Sequence, residues 1–292
     1  MGLLLNAIYL GLLAALSPWL LWRAVRTGRY RDGLAAKLLG RVPSRSGARP
    51  CVWLHAVSVG EVNLLGTLIA EFSRCRPDCQ CVISTTTRTG YELAKRKYPT
   101  LSVFYLPLDF TWAVRNAMAR IRPDLLLLAE LELWPNLIAA AKGAGARVAI
   151  ANGRLSERSF RGYLRVRPLL ARVLAQLDIL AVQNEEYAAR FRALGAPPNL
   201  VCVTGSIKFD GAQTDRGNRQ TRELAALAGF APHDVVFLAG STQEPEESLA
   251  LTAYRQLMVK HPRLRLVLVP RHPERFDAVA RPLDESGLPW QR

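Results

Sequence analysis

Several familiar signatures of enzyme chemistry are missing from this chain of 292 residues. There is no GxGxxG and no GxxxxGK[ST], so neither a dinucleotide fingerprint nor a P-loop is indicated. HExxH and GxSxG are absent too, which removes the helix-borne zinc pair and the nucleophile elbow. Histidine is scarce, and His55, His233, His261 and His272 are too scattered for a metal site or a triad. The five cysteines form no CxxC pair and have no ligand spacing with the histidines. Cys79 and Cys81 fall on one face of a strand as core thiols, which points to a reducing compartment and no structural metal. Acidic residues are outnumbered, 24 to 39, and the resulting +15 asks for an anionic partner: nucleic acid, an acidic membrane face or a phosphorylated substrate.

The distribution of that charge narrows the choice. Residues 23 to 49 hold eight basic residues, from Arg23 to Arg49, against the single Asp32, so this segment carries +7 of the +15. It directly follows a stretch with no charge at all. Gly2 to Trp22 is 21 residues long, and at 1.5 Å per residue a helix of that length measures about 31 Å, the thickness of a bilayer's hydrocarbon core. A basic start, a short apolar stretch and a small-residue cleavage site would mark a removable signal, and none of the three is found. Residues 1–22 therefore read as a membrane anchor, interrupted by Asn6 and Pro18, with Trp19, Trp22 and Tyr30 at the interface. Residues 23–50 read as a basic juxtamembrane segment on the cytoplasmic side of the membrane. The helix either spans or lies flat against anionic lipid; the sequence leaves both open.

From Cys51 onward, apolar runs of strand length alternate with helical periodicity. The opening unit is the clearest: Cys51 to Ala56 is apolar, Ser58-Val59-Gly60-Glu61 makes a turn, and Leu65, Leu68, Ile69 and Phe72 follow at helical spacing. Strands are expected at Cys79–Thr86, Leu101–Leu108, Leu125–Leu133, Arg147–Ala151, Ile179–Gln183 and Val201–Thr204. Helices are expected between them, including Thr111–Ile121, Pro135–Lys142 and Arg161–Gln176. Leu125 to Leu128 is apolar on both faces, the mark of a buried parallel sheet covered by helices on both sides. The pattern lapses at 211–220, read as a linker, and resumes over 221–292 with two further strands at Val235–Ala239 and Leu264–Val269. The chain thus reads as α/β, with domains at 51–210 and 221–292, the second incomplete.

Polar residues gather where the strands end, the edge at which open α/β sheets bind ligands. Glu61 sits in the first turn of its helix, where a carboxylate can serve as a base or simply cap backbone N–H groups. Thr85 to Gly90 can hold a substrate or cap a helix. Glu130 and Glu132 are two acids at one strand end, serving either a site or a structural ion pair. Lys208 can meet an anion or stay solvated. Gly240-Ser241-Thr242 permits close approach of backbone to phosphate, and Arg271, after Pro270, offers a two-donor fork.

In order and spacing, these segments resemble the 3-deoxy-D-manno-oct-2-ulosonic acid (Kdo) transferases of lipopolysaccharide assembly. The resemblance rests on His55 to Glu61, Thr85 to Gly90, Tyr105 to Asp109, Glu132 to Asn136, Ala151 to Ser156, Val203 to Asp210, Gly240 to Thr242 and Val269 to Arg275. It implies a membrane-attached inverting glycosyltransferase of the GT-B type, with two Rossmann-like domains. The first would bind a lipid A precursor and the second CMP-Kdo. Carried over, it gives Glu61 as general base, Glu130 and Lys208 as transition-state supports, and Pro270 and Arg271 as part of the CMP site. No metal or other cofactor is implied. The glycine-rich and His-Asn-x-Leu-Glu-like segments of the family's nucleotide pocket are not found, so a polypeptide of these 292 residues is expected to bind CMP poorly and to transfer no Kdo. Rival readings are a membrane glycosyltransferase using another nucleotide sugar, a membrane-tethered nucleic-acid binder and a non-catalytic scaffold. The second needs basic residues interleaved with aromatics on one face, whereas nearly half the excess charge lies beside the anchor. The scaffold is opposed by the carboxylates at the strand ends, and nucleic acid is not expected as a partner.

Overall fold

The computed structural model describes residues 2–27, 32–210, 214–215 and 217–292. Tyr30, Arg29 and Arg31, expected beside the membrane, and 211–213 and 216 of the expected linker lie outside the described residues. Two compact units are formed, Met1–Ala212 and Gln213–Arg292.

The first unit begins with helices α1 (Gly2–Thr27) and α2 (Leu34–Leu39). An alternating series follows: β1 (Cys51–His55), α3 (Val59–Cys75), β2 (Gln80–Thr85), α4 (Arg88–Lys97), β3 (Ser102–Tyr105), α5 (Thr111–Ile121), β4 (Leu125–Ala129) and α6 (Pro135–Gly143). It continues through β5 (Arg147–Gly153), α7 (Glu157–Leu164), α8 (Arg167–Leu174), β6 (Ile179–Val182), α9 (Glu185–Ala193) and β7 (Val201–Val203). All seven strands are parallel, in the order β3-β2-β1-β4-β5-β6-β7. Strand order reverses between β1 and β4, which pair from Val52↔Leu125 to His55↔Leu128, so their carboxyl ends form the topological switch point.

Side chains alternate across these strands, and each set has its own core. Trp53, Val82, Leu126 and Ile150 pack with α5, α6 and α8 on one face. Val52, Leu54, Ile83 and Leu127 pack with α3 and α4 on the other. This double coverage is why the strands are apolar throughout.

Two expectations need correction. The strand predicted over Leu125–Leu133 stops at Ala129, because Glu130 turns into the left-handed region at φ 55°. Leu131, Leu133 and Trp134 still pack against the core, so apolar and acidic residues alternate there without being a strand. The helix predicted over Arg161–Gln176 is two helices, α7 and α8, broken at Val166. Pro168 has no N–H to donate to the Leu164 carbonyl, and it sits in the first turn of α8, where that N–H is not needed.

Helix α1 leaves most of its apolar surface exposed but docks a narrow polar stripe on the first unit. Asn6 exchanges bonds with the Thr111 side chain (2.7 Å) and backbone N–H (3.1 Å), and the Tyr9 hydroxyl donates to Asp109 (3.3 Å). The basic segment behind it is also partly integrated. Arg45 donates to the carbonyls of Ile121 and Arg122, and Arg49 to those of Pro77 and Asp78.

Asp109 is the keystone of this contact. Helix α6 has no side-chain cap of its own, and the Asp109 carboxylate supplies one from 27 residues away, accepting from the N–H groups of Asn136 (3.0 Å) and Leu137 (2.8 Å). Burial raises its pKa from 3.8 to about 6, against the pull of the bonds it accepts. Folding therefore binds a proton here between those two values, and this residue's contribution to stability falls as pH rises through the window, by up to about 3 kcal/mol. Melting curves of parent and Asp109→Asn from about pH 4 to about pH 7 test this; the parent should lose stability relative to the variant as pH rises. Parallel curves would show that Asp109 is ionised throughout.

The second unit comprises α10 (Arg219–Leu227), β8 (Val235–Thr242), α11 (Glu246–Met258), β9 (Leu264–Pro270) and α12 (Phe276–Glu285). Its two strands pair in parallel from Val235↔Leu264 to Thr242↔Pro270. Val235, Val236, Leu238 and Val269 remain exposed on them.

Candidate functional site

The turn after β1 holds Glu61 in place. Ser58 is the N-cap of α3 and accepts from the Glu61 N–H (3.4 Å), while its hydroxyl donates to Glu61 Oε1 (2.9 Å). The Val57 N–H, one residue before the N-cap, donates to Oε2 (2.9 Å), a variant of the capping box. Both roles read from the sequence are thus compatible: the carboxylate caps the helix, and each oxygen keeps a further lone pair. Thr87 performs a similar service for α4, accepting from the Gly90 N–H (3.1 Å) and donating to the Val57 carbonyl (2.8 Å). A Cβ at Gly90 would stand 2.8 Å from Thr87 Oγ1 and 3.0 Å from Val57 O, so glycine is required for the two turns to meet. Capping is therefore the visible job of this hydroxyl run. Thr86 Oγ1 is left buried without a partner.

Glu130 follows β4, directly beside the switch point. Its backbone N–H donates to Ala151 O at the end of β5 (2.9 Å). Burial raises its pKa, and the charges of Glu61 and Glu132 raise it further, whereas Lys208 and Arg154 pull it down. The three residues predicted as catalytic therefore share one electrostatic environment. Glu132 points elsewhere: it accepts from Trp134 Nε1 (2.8 Å) and lies 3.7 Å from Nε2 of the fully buried His55. Of the two acids, only Glu132 has a basic side chain within 4 Å among the contacts of the described residues, the imidazole of His55.

Lys208 is exposed on a single 3₁₀ turn, Ile207–Phe209, after β7. Ile207 packs on the α3-side core, and its N–H donates to Asn152 Oδ1 at the end of β5 (3.3 Å). Arg154 and Asn152 were legible only as parts of a motif; neither has a spacing that announces contact with Glu130 or Lys208.

Within the second unit, Pro270 and Arg271 end β9. The Arg271 N–H donates to Thr242 O (3.0 Å), and its side chain is exposed. Thr242 is buried with Oγ1 unpartnered, and Ser241 has φ 60°. A backbone bond thus joins the ends of β8 and β9, with a buried hydroxyl on one and an exposed guanidinium, a fork suited to phosphate, on the other.

Comparison with known proteins gives this geometry a family. Residues 30–211 match the family model described as 3-Deoxy-D-manno-octulosonic-acid transferase (kdotransferase). The 3-deoxy-D-manno-octulosonic acid transferase of Haemophilus influenzae is 33% identical over 271 residues, covering 92% of this chain and 63% of the relative. That of Bordetella pertussis is 36% identical over 303 residues, covering 98% and 69%. The chain thus spans about two thirds of the length of these curated relatives, 63% of one and 69% of the other. UDP-GlcNAc 2-epimerase from Neisseria meningitidis, solved bound to UDP-GlcNAc, aligns with a TM-score of 0.57 over 80% of this chain and 68% of its own, at 14% identity. That likeness is one of fold, and it matches the GT-B architecture expected from the sequence. With a family model matching most of the first unit and relatives aligned across both, the chain belongs to the 3-deoxy-D-manno-octulosonic-acid transferase (kdotransferase) family.

Proposed function

We propose that this protein is an inverting transferase that moves Kdo from CMP-Kdo to the lipid A precursor lipid IVA at the cytoplasmic face of the inner membrane. The observation that carries the reading is the shared environment of Glu61, Glu130 and Lys208 at the β1/β4 switch point of a family member. In the reaction, an acceptor hydroxyl attacks the anomeric carbon as the bond to CMP breaks. Glu61 takes the hydroxyl's proton, and CMP leaves with the bonding electron pair. Lys208 offsets the negative charge that develops. Pro270 and Arg271 form part of the CMP site, where the Arg271 guanidinium can meet the phosphate. The full-length protein as natively encoded, in detergent with CMP-Kdo and lipid IVA, should yield a product heavier by one or more Kdo residues. Transfer only from a different nucleotide sugar would overturn the reading.

The docking of α1 bears on how a lipid reaches this site. Its first turns touch Thr111 and Asp109, at the carboxyl edge of the sheet, which also carries Glu61 and Glu130. A helix crossing the bilayer from a domain attached beyond Trp22 would hold Gly2 about 31 Å away from that domain. The docking of α1 therefore supports a helix that lies along the inner leaflet, with the sheet edge toward the membrane. Arg23 over Trp19 and Arg26 over Trp22, at 4.9 and 5.1 Å, are amphipathic pairs suited to lipid headgroups in this reading. Deleting residues 1–22 should release the protein only in part from anionic liposomes, with the residual binding lost as salt rises. Flotation at low and high salt reads this out, and salt-insensitive residual binding would contradict it.

A further inference from the structure

Asn152 ends β5 in the left-handed region, φ 59°, and is 2% exposed. Its backbone carbonyl accepts from Gln183 Nε2 (3.2 Å), and the carbonyl of the preceding Ala151 accepts from the Glu130 N–H (2.9 Å). Its side-chain oxygen accepts from the Ile207 N–H, the residue before Lys208. One strand end therefore ties down the backbones that carry Glu130 and Lys208. The Ile207 bond also fixes the orientation of the amide, since only its oxygen can accept. Two N–H donors on Nδ2 then remain buried without a partner. Buried donors are nearly always satisfied, so an orphan beside a candidate site marks the place of a ligand atom.

We propose that Asn152 is a positioning residue for Lys208, and that its Nδ2 donates to an anionic oxygen of the bound substrate. Lys208 and Arg154 supply the cations of the environment that Glu130 shares with Glu61 and Glu132, and a carboxylate or phosphate oxygen is drawn to those cations where a neutral acceptor is not. The sugar's carboxylate and the nucleotide's phosphate are the two sources. The identity of the ligand rests on the Kdo transferase reading; the tether to Lys208 does not.

Two variants of the full-length protein separate the parts. Asn152→Gly accepts the positive φ without strain but loses the bond from the Ile207 N–H and the proposed Nδ2 contact. Asn152→Asp keeps an oxygen for the Ile207 N–H but replaces the donor with a negative charge. Hydrogen exchange over residues 205–210, without substrate, should show the Ile207 amide deprotected in Asn152→Gly and protected in Asn152→Asp. Steady-state kinetics should show kcat lowered about 10²-fold in Asn152→Gly and KM for the donor raised at least about tenfold in Asn152→Asp. Adding Kdo or CMP separately, the one that protects the strand end in the parent but not in Asn152→Asp identifies the oxygen's source. Parental exchange and parental kcat in Asn152→Gly would show that the residue serves only its backbone conformation. Parental KM in Asn152→Asp, or protection by neither ligand, would rule out the Nδ2 contact. If the parent transfers no Kdo yet the exchange difference holds, the functional reading fails and the tether stands.

Discussion

Glu61→Gln should lower turnover of the full-length protein by about 10²–10⁴-fold, the usual contribution of a positioned base, with the fold retained. The side chain has two jobs in the structure, so the variant needs a companion that separates them. Both carboxylate oxygens are engaged by the Val57 N–H and the Ser58 hydroxyl, and glutamine still offers an oxygen to one of these. What glutamine cannot do is take a proton. Ser58→Ala makes the complementary change: it removes the N-cap oxygen and costs about 0.5–2 kcal/mol of stability, yet leaves the carboxylate in place. If Glu61 is the base, Ser58→Ala melts earlier while retaining turnover within about tenfold, and Glu61→Gln shows the reverse pattern. Loss of stability without loss of rate in Glu61→Gln would return the residue to its capping role.

That both jobs meet in one residue explains how the site could be read before the fold was known. The switch from an apolar run to helical periodicity at Ser58 is local information, and so is the helix Thr111–Ile121, whose bounds agree with the structure. The apolar faces of Leu125 to Leu128 announced a buried parallel sheet for the same reason: every residue must satisfy one of two cores. Strand order carries no such signal, since the alternation of strands and helices would be the same for several orders. Nor do the bonds that tune the site. Asn152 reaches Ile207 across 55 residues, and Asp109 caps a helix 27 residues onward, and neither partner's neighbourhood shows a pattern.

The errors have physical causes of the same kind. Leu131 and Leu133 are apolar because the loop after Glu130 folds back on the core, and their alternation with acids imitates a strand. Within the basic segment beside α1, Arg45 and Arg49 spend guanidinium donors on backbone carbonyls of the first unit, an outcome that charge counting cannot foresee. Composition located the charge, whereas hydrogen-bond geometry decided its use.

Lys208→Met should lower kcat by about 10²–10³-fold, the scale seen when one preorganised stabiliser of developing charge is removed. Methionine is of similar length and leaves the 3₁₀ turn and the Ile207 N–H bond to Asn152 intact, so the loss reports charge and not architecture. A second consequence distinguishes this from a solvated surface lysine. In the parent, Lys208 pulls the pKa of Glu130 down, against burial and the charges of Glu61 and Glu132, which raise it. Removing the ammonium leaves burial and the charges of Glu61 and Glu132 opposed only by Arg154. Glu130 then holds its proton to higher pH, and if transfer requires it ionised, the acid limb of the pH–rate profile moves upward. Lys208→Arg restores the charge without the compact point geometry of an ammonium, and should recover the position of that limb more fully than it recovers kcat. A Lys208→Met enzyme with parental turnover and an unmoved acid limb would show that the residue is an ordinary exposed cation.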